Sequence, residues 1–258
     1  MSVFSHVQGD WLGIDDARIW YEQAGDASRP ALLFLHGGMG HLGDFSVLAT
    51  SLAATHRLIG LDTRGHGKST LGSRALTYQQ IAEDALCLLD HLRIECASLI
   101  GFSDGGIVGY RLALQAPDRI DRLVAIGAPC SLSDQAAQIL ERITPAACDA
   151  RFPHVRVEYE RLNPEADFAR FIEASKQLWL DRSATGYPNP EAIQDIRQPT
   201  LIVRGDDDHL FSLDEAVALR RQLPQAQLLN VPSAGHLAFQ DQHEICALAI
   251  RDFLRPRG

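Results

Sequence analysis

The sequence has no apolar run that approaches the roughly 20 residues a helix needs to cross a bilayer. Its first residues also lack a basic segment followed by an apolar one, so we expect no signal peptide. Basic residues are in the minority, since 24 Lys and Arg stand against 33 Asp and Glu and give a formal net charge of −9. Non-specific binding to nucleic acid or to an anionic membrane is therefore disfavoured.

Cysteine is scarce, and the five cysteines present are scattered without the CxxC spacing of zinc or redox sites. An odd, scattered set of cysteines in a chain of this length is typical of free thiols in a reducing compartment. We therefore expect a cytoplasmic protein. The sequence also lacks internal repeats and low-complexity tracts, and it leaves the oligomeric state open.

What the sequence does contain is a regular alternation of strand patterns with helical patterns. The runs ALLFLH and PTLIVRG are almost continuously apolar, as strands buried on both faces are. Segments such as TYQQIAEDALCLLDHL lie between such runs and repeat apolar residues at helical intervals. This alternation predicts an α/β fold with a mostly parallel sheet of about eight strands and helices on both faces.

Residues 131–193 interrupt this alternation, because no buried-strand pattern occurs among them. Short helical patterns separated by prolines occupy the segment, and it is too long for a loop in a compact domain. We predict that residues 131–193 form a small helical cap. The cap is inserted into a core made of residues 1–130 and 194–258.

The stretch GFSDGG, which begins at Gly101, lies between a strand pattern and a helical one. The spacing of Gly101, Ser103 and Gly105 is that of a nucleophile elbow, in which the serine occupies a sharp, strained turn. Larger residues two positions to either side of the serine would clash with that turn, so glycine is needed there. The following helix directs its N-terminal amides at the serine. The alternative is a glycine-rich turn with a helix-capping serine.

A second stretch, LFLHGGMGH, follows an earlier buried strand. An acyl-transfer serine needs backbone donors for the oxyanion, one from the residue after it and one from a loop such as this. Asp104 would supply the first amide, and Gly38 or its neighbour Met39 would supply the second. We expect His36 to brace the loop by hydrogen bonds rather than to act in catalysis.

Five motifs, HGGMG, DTRGHGKS, GFSDGG, LIVRGDDD and AGH, together resemble those of the α/β-hydrolase superfamily over nearly the whole chain. The resemblance implies an α/β-hydrolase fold with a triad in the chain order serine, acid, histidine. It places Ser103 as the nucleophile, His236 as the general base and Asp208 as the acid. Asp206 and Asp207 stay open as alternative acids, since three adjacent side chains cannot all point at one imidazole.

The motifs and the resemblance predict a serine hydrolase that cleaves a small-molecule ester, lactone or related acyl bond through an acyl-enzyme. The alternatives are hydrolysis of a carbon–carbon bond and a non-catalytic ligand-binding or signalling role on the same fold. No cofactor is implied. A metal site in the run from Asp206 to His209 is disfavoured, because adjacent residues rarely converge on one ion.

We expect the predicted cap to lie over Ser103 and to supply part of an acyl pocket. For most of the residues concerned, the alternative is that they only pack the cap onto the core. The residues expected to line the pocket are Phe152, Phe168, Phe171, Leu178 and Trp179.

The elbow GFSDGG is also similar to that of valacyclovir-hydrolase-like members of the superfamily, whose aspartate after the serine meets the amino group of an aminoacyl ester. This resemblance implies that Asp104 selects substrates with a cationic α-amine. The alternative is that Asp104 caps the amides of the following helix or points away from the pocket.

Overall fold

The structure is a computed structural model that describes residues 3–255. Within these residues a single eight-stranded sheet is formed, which confirms the predicted α/β architecture. The strands are β1 (Asp10–Ile14), β2 (Ala17–Ala24), β3 (Ala31–Leu35), β4 (Arg57–Leu61), β5 (Ala97–Phe102), β6 (Ile120–Ile126), β7 (Thr200–Gly205) and β8 (Ala226–Val231).

The α-helices described for residues 3–255 alternate with the strands, and three short 3-10 helices accompany them. None of these helices is both long and apolar enough to cross a membrane. The α-helices are α1 (Ser46–Leu52), α2 (Tyr78–His91), α3 (Asp104–Gln115), α4 (Asp134–Glu141), α5 (Pro145–Arg151), α6 (Pro153–Leu162), α7 (Phe168–Leu180), α8 (Leu213–Gln222), α9 (Ala238–Asp241) and α10 (His243–Leu254). The 3-10 helices are Leu42–Phe45, Pro117–Arg119 and Ile193–Asp195.

The sheet runs in the order β1-β2-β4-β3-β5-β6-β7-β8. The hairpin of β1 and β2 joins β4 in antiparallel pairing, and all neighbours from β4 to β8 pair in parallel. The carboxyl ends of β3, β5, β7 and β8 therefore share one edge of the sheet, where ligand sites of open α/β sheets form. Each predicted catalytic motif follows one of these four strands.

Apolar layers cover the central strands on both faces. Successive residues of β5 point to opposite faces, so that Leu99 belongs to one buried cluster and Ile100 to the other. Leu33 and Phe34 divide in the same way on β3. Because both faces are packed, the ends of these strands are fixed in position, and so are the loops that leave them.

Helices α4 to α7 lie between β6 and β7, within residues 131–193, which we call the helical insertion. The sequence pattern predicts that Pro145 and Pro153 interrupt helices, but in the structure each proline begins a helix. Proline is tolerated at the first helical position, where its missing N–H would have no intrahelical partner. The side chain of Thr144 caps α5 by accepting from Ala147 N–H, and α5 is a helix that the sequence pattern did not predict.

Candidate active site

Ser103 occupies the turn between β5 and α3, with φ 49° and ψ −113°. A non-glycine residue with positive φ is strained by about 1–3 kcal/mol, and the surrounding structure must hold it there. A Cβ on Gly105 would overlap the carbonyl of Leu35, and a Cβ on Gly101 would overlap that of Gly105. The two glycines therefore let the strained turn approach its neighbours closely.

A chain of hydrogen bonds connects Ser103, His236 and Asp208. The Ser103 Oγ lies 3.0 Å from His236 Nε2, and His236 Nδ1 lies 2.9 and 3.0 Å from the two carboxylate oxygens of Asp208. A carboxylate oxygen accepts hydrogen bonds, so His236 Nδ1 carries the ring proton and donates it to Asp208, and Nε2 is left with the lone pair that faces the serine hydroxyl. The structure thus brings the three predicted triad residues together.

The adjacent aspartates point elsewhere, which separates Asp208 from its two alternatives. Asp206 accepts a hydrogen bond from Asn230 Nδ2 at 2.8 Å, and Asp207 is exposed. Asp208 Oδ1 also accepts from the N–H of Leu210 at 2.9 Å, and its side chain is fully buried. Throughout residues 3–255, no group of three or more His, Cys, Asp or Glu side chains is arranged to hold a metal ion.

The imidazole of His236 is held on two sides by the core. The ring of Phe102 lies 5.0 Å from it, centroid to centroid. On the other side Gly127 adopts φ 58°, and a Cβ there would lie 3.1 Å from the imidazole. Gly235 N–H donates to the Asp241 carboxylate at 2.9 Å and fixes the loop just before the histidine.

The three residues predicted to supply oxyanion donors border one cavity. Gly38, Met39 and Asp104 line the same cavity as Ser103. Asp104 is the first residue of α3, and the first N–H groups of a helix have no intrahelical acceptor. The N-terminus of α3 and the loop after β3 therefore both border the cavity that contains Ser103.

His36 braces the loop that carries Gly38, as the sequence predicts. Its Nδ1–H donates to the carbonyl of Gly37 at 2.8 Å, and its Nε2 accepts from Thr63 N–H at 3.0 Å. Complete burial lowers the pKa of His36 to about 3, so the ring stays neutral and keeps an acceptor at Nε2.

The cavity at Ser103, which we call the inner cavity, has a volume of about 110 Å³. Its walls come from α3, from the helical insertion and from the loop after β7. Most of the residues in these walls are not among those predicted from the sequence, although α4 carries apolar residues at helical spacing. The apolar side chains that line it include Ile107, Ala136, Leu140, Ile143, Trp179 and Leu210.

Of the five insertion residues expected in the acyl pocket, only Trp179 lines the inner cavity. Phe168 and Phe171 are buried in a separate apolar cluster, where Phe171 stacks on Tyr159 with ring centroids 4.4 Å apart and meets His66 of the core edge to face at 4.7 Å. Leu178 is buried in the main core, and Phe152 is 40% exposed. Apolar periodicity shows which residues of a helix are buried, but not what they pack against.

The Asp104 side chain neither caps α3 nor points away from the cavity. Its carboxylate accepts one hydrogen bond from the hydroxyl of Tyr78 at 2.8 Å and one from the indole N–H of Trp179 at 2.9 Å. Burial raises the pKa of Asp104 above its ordinary value, and burial raises that of Tyr78 well above its own. A buried carboxylate thus joins α2 of the core to α7 of the insertion, a link that no sequence pattern indicated.

The chain is similar in sequence to known proteins over most of its length. The chain is similar to the sn-1-specific diacylglycerol lipase ABHD11 of Mus musculus, at 28% identity over 254 residues, which cover 89% of this chain and 82% of that protein. It is also similar to 3-oxoadipate enol-lactonase 2 of Acinetobacter baylyi (strain ATCC 33305 / BD413 / ADP1), at 27% identity over 250 residues, 90% of this chain and 91% of that protein.

Among solved structures, a hydrolase from Pseudomonas aeruginosa PA01 has the same fold. Its TM-score is 0.79 at 24% identity, over 98% of this chain and 100% of that one. The family described as alpha/beta hydrolase fold matches residues 30–152 and 167–242. This match confirms the resemblance seen in the motifs, and the chain belongs to the alpha/beta hydrolase family.

Proposed function

We propose that this protein is a serine hydrolase that cleaves a small-molecule ester, lactone or related acyl bond through an acyl-enzyme. The observation that carries the proposal is the hydrogen-bonded chain from Ser103 Oγ through the imidazole of His236 to the carboxylate of Asp208, with links of 3.0 and 2.9 Å. The similarity to proteins named as a lipase and as an enol-lactonase supports a carboxylic acyl bond as the target.

In the proposed reaction, His236 Nε2 takes the proton of the Ser103 hydroxyl as its oxygen attacks the substrate carbonyl. Asp208 keeps Nδ1 protonated and stabilises the imidazolium that forms. The imidazolium then protonates the leaving oxygen, and the acyl group stays on Ser103. The same histidine activates a water molecule, which releases the acid and restores the hydroxyl.

The tetrahedral oxyanion would be held by the amides of Asp104 and of Gly38 or Met39. These groups are preorganised, since one lies in the first turn of α3 and the others lie in a loop braced by His36. Fixed dipoles cost no reorganisation as charge develops, and loss of a single oxyanion donor typically costs about 10²–10³ in kcat.

The helical insertion acts in this proposal as a cap that closes the inner cavity over Ser103. Trp179 of α7 and Ala136 and Leu140 of α4 supply apolar walls. The cavity volume of about 110 Å³ is well below the roughly 300–1,000 Å³ of sites that enclose drug-sized ligands. A substrate with a small acyl group fits these dimensions best.

Turnover of p-nitrophenyl acetate tests the proposal. We expect hydrolysis that EDTA does not change and that disappears in Ser103→Ala, while the melting temperature of that variant stays close to that of the wild type. A panel of lactones and diketones distinguishes acyl-bond cleavage from carbon–carbon cleavage. Absence of turnover with every acyl length and every member of the panel would indicate a ligand-binding role instead.

A further inference from the structure

A second, larger cleft shares one lining residue with the inner cavity. It has a volume of about 560 Å³ and is bounded by the end of α3 and by the two ends of the helical insertion. We call it the outer cleft. Tyr187, in the segment between α7 and β7, lines both the inner cavity and the outer cleft.

The two spaces differ in what they can hold. The inner cavity of about 110 Å³ admits only a short acyl group, whereas the outer cleft of about 560 Å³ has the size of a ligand site. The outer cleft contains no acidic lining residue among the described residues, and hydrocarbon makes up much of its wall. The residues that contribute this hydrocarbon include Leu114, Leu132, Ala184, Pro188 and Pro190.

The ring of Tyr187 is fixed from inside the cavity. It meets Tyr78 edge to face with ring centroids 5.2 Å apart, and its hydroxyl donates to the carbonyl of Trp179 at 3.3 Å. Burial raises the pKa of Tyr187, so the hydroxyl stays protonated and keeps this donor. The ring is therefore held as a wall rather than left free to turn into solvent.

The backbone beneath the ring is fixed as well. The guanidinium of Arg111, on α3, donates to the carbonyls of Ala184 at 3.0 Å, Gly186 at 2.7 Å and Tyr187 at 3.2 Å. Arg111 is 6% exposed, so these three bonds lie away from water and hold the segment against α3. The ring is thus anchored to α2 and α7, and the backbone is anchored to α3.

We propose that Tyr187 is the specificity-determining residue for acyl length, because its ring closes the inner cavity off from the outer cleft. The inference rests on the proposed function and narrows it to substrates with a short acyl group. A longer straight acyl chain would have to pass the position of the ring to reach the apolar wall beyond it. Removal of the ring should join the two spaces and admit such chains.

The test compares kcat/KM for the p-nitrophenyl esters of acetate and octanoate. Each methylene that moves from water into an apolar wall is worth about a fourfold gain. The wild type is expected to prefer acetate at least tenfold. In Tyr187→Ala the octanoate-to-acetate ratio should rise at least tenfold, and in Tyr187→Phe, which keeps the ring, it should stay within about twofold of the wild-type ratio.

Matched variants locate the effect. Leu140→Ala enlarges the inner cavity at a residue that does not line the outer cleft, so its gain for octanoate should be smaller than that of Tyr187→Ala. Ala184→Trp, added to Tyr187→Ala, fills the outer cleft and should abolish the gain. If Tyr187→Ala does not fold, Tyr187→Leu is expected to give a smaller gain in the same direction.

Binding of octanoic acid, measured by calorimetry, provides a readout that does not depend on turnover. Its Kd should fall at least fivefold from the wild type to Tyr187→Ala. A gain in binding without ester turnover in any variant would overturn the proposed function but not the proposal that the Tyr187 ring closes the inner cavity off from the outer cleft. Three results would overturn the proposed role of Tyr187: equal kcat/KM for octanoate and acetate in the wild type, no gain in either readout in Tyr187→Ala, or a gain that survives Ala184→Trp.

Discussion

The edge of the sheet and the helical insertion build the same cavity in different ways. At the sheet edge, Ser103, Asp208 and His236 follow three parallel strands of one sheet, and backbone geometry fixes them. The insertion has a separate apolar cluster around Phe171 and Tyr159. Other insertion residues, among them Ala136, Leu140 and Trp179, line the cavity. The chemistry therefore depends on backbone placement, and the size of the cavity depends on side-chain packing.

One buried carboxylate, that of Asp104, connects the sheet edge with the helical insertion. Asp104 belongs to the elbow, yet its side chain accepts hydrogen bonds from Tyr78 of the core and Trp179 of the insertion. Breaking a buried hydrogen bond to a charged group costs more than breaking a neutral one. Asp104 is thus the polar contact through which the wall of the cavity is held to the serine loop.

The largest expected effect concerns the acid at the sheet edge. Asp208→Asn should lower kcat roughly 10⁴-fold, because the wrong imidazole tautomer would then face Ser103. Asp206→Asn and Asp207→Asn are the matched controls in the same loop and should change kcat only slightly. Steady-state kinetics on one ester measures all three. A severe loss in Asp206→Asn with a mild one in Asp208→Asn would assign the acid role to the wrong aspartate.

The next effect tests whether backbone placement governs the elbow. Gly105→Ala should lower the free energy of unfolding by about 3 kcal/mol or more, since the added methyl group meets the carbonyl of Leu35. Gly13→Ala is the control, because no atom lies within 4 Å of a Cβ there. Urea unfolding measures both variants. Equal stabilities would show that the elbow tolerates a side chain at Gly105.

A third pair of variants distinguishes insertion residues that stabilise the fold from insertion residues that line the inner cavity. Phe171→Ala should lower the free energy of unfolding by about 3–5 kcal/mol and leave the preferred acyl length unchanged. Ala136→Leu, on the wall of the inner cavity, should shift the preference toward shorter acyl groups with little change in melting temperature. If Phe171→Ala changed acyl preference, or if Ala136→Leu changed stability alone, the division between the two roles would fail.

The smallest expected effect concerns the charge of Asp104. Asp104 lines the inner cavity, and each of its oxygens accepts one hydrogen bond and can accept a second, so a cationic α-amine in the substrate would be attracted. We expect the wild type to prefer a valine ester over the isovalerate ester of the same alcohol by at least threefold.

The variants Asp104→Asn and Trp179→Phe separate charge from position in that preference. The first removes the charge and should abolish the preference, and the second keeps the charge and should retain it. Equal kcat/KM for the two esters in the wild type would mean that Asp104 only positions the cavity wall.

The sequence predicted what depends on local geometry. Glycines two residues before and after Ser103 indicate a strained turn, and the positions of Asp208 and His236 after predicted parallel strands indicate a common edge. The contact of Tyr78 with Asp104 joins residues 26 positions apart in the chain, and no local pattern records it. Tyr187 lies in an aperiodic segment, so only the packed structure shows that it lines two cavities.

Identification of the residue that carries the acyl group tests the central claim most directly. The protein is incubated with a fluorophosphonate or a slowly hydrolysed ester, digested, and analysed by mass spectrometry. We expect a single covalent adduct on the peptide that contains Ser103, and none in Ser103→Ala. An adduct on another residue, or ester turnover that persists in Ser103→Ala, would contradict it.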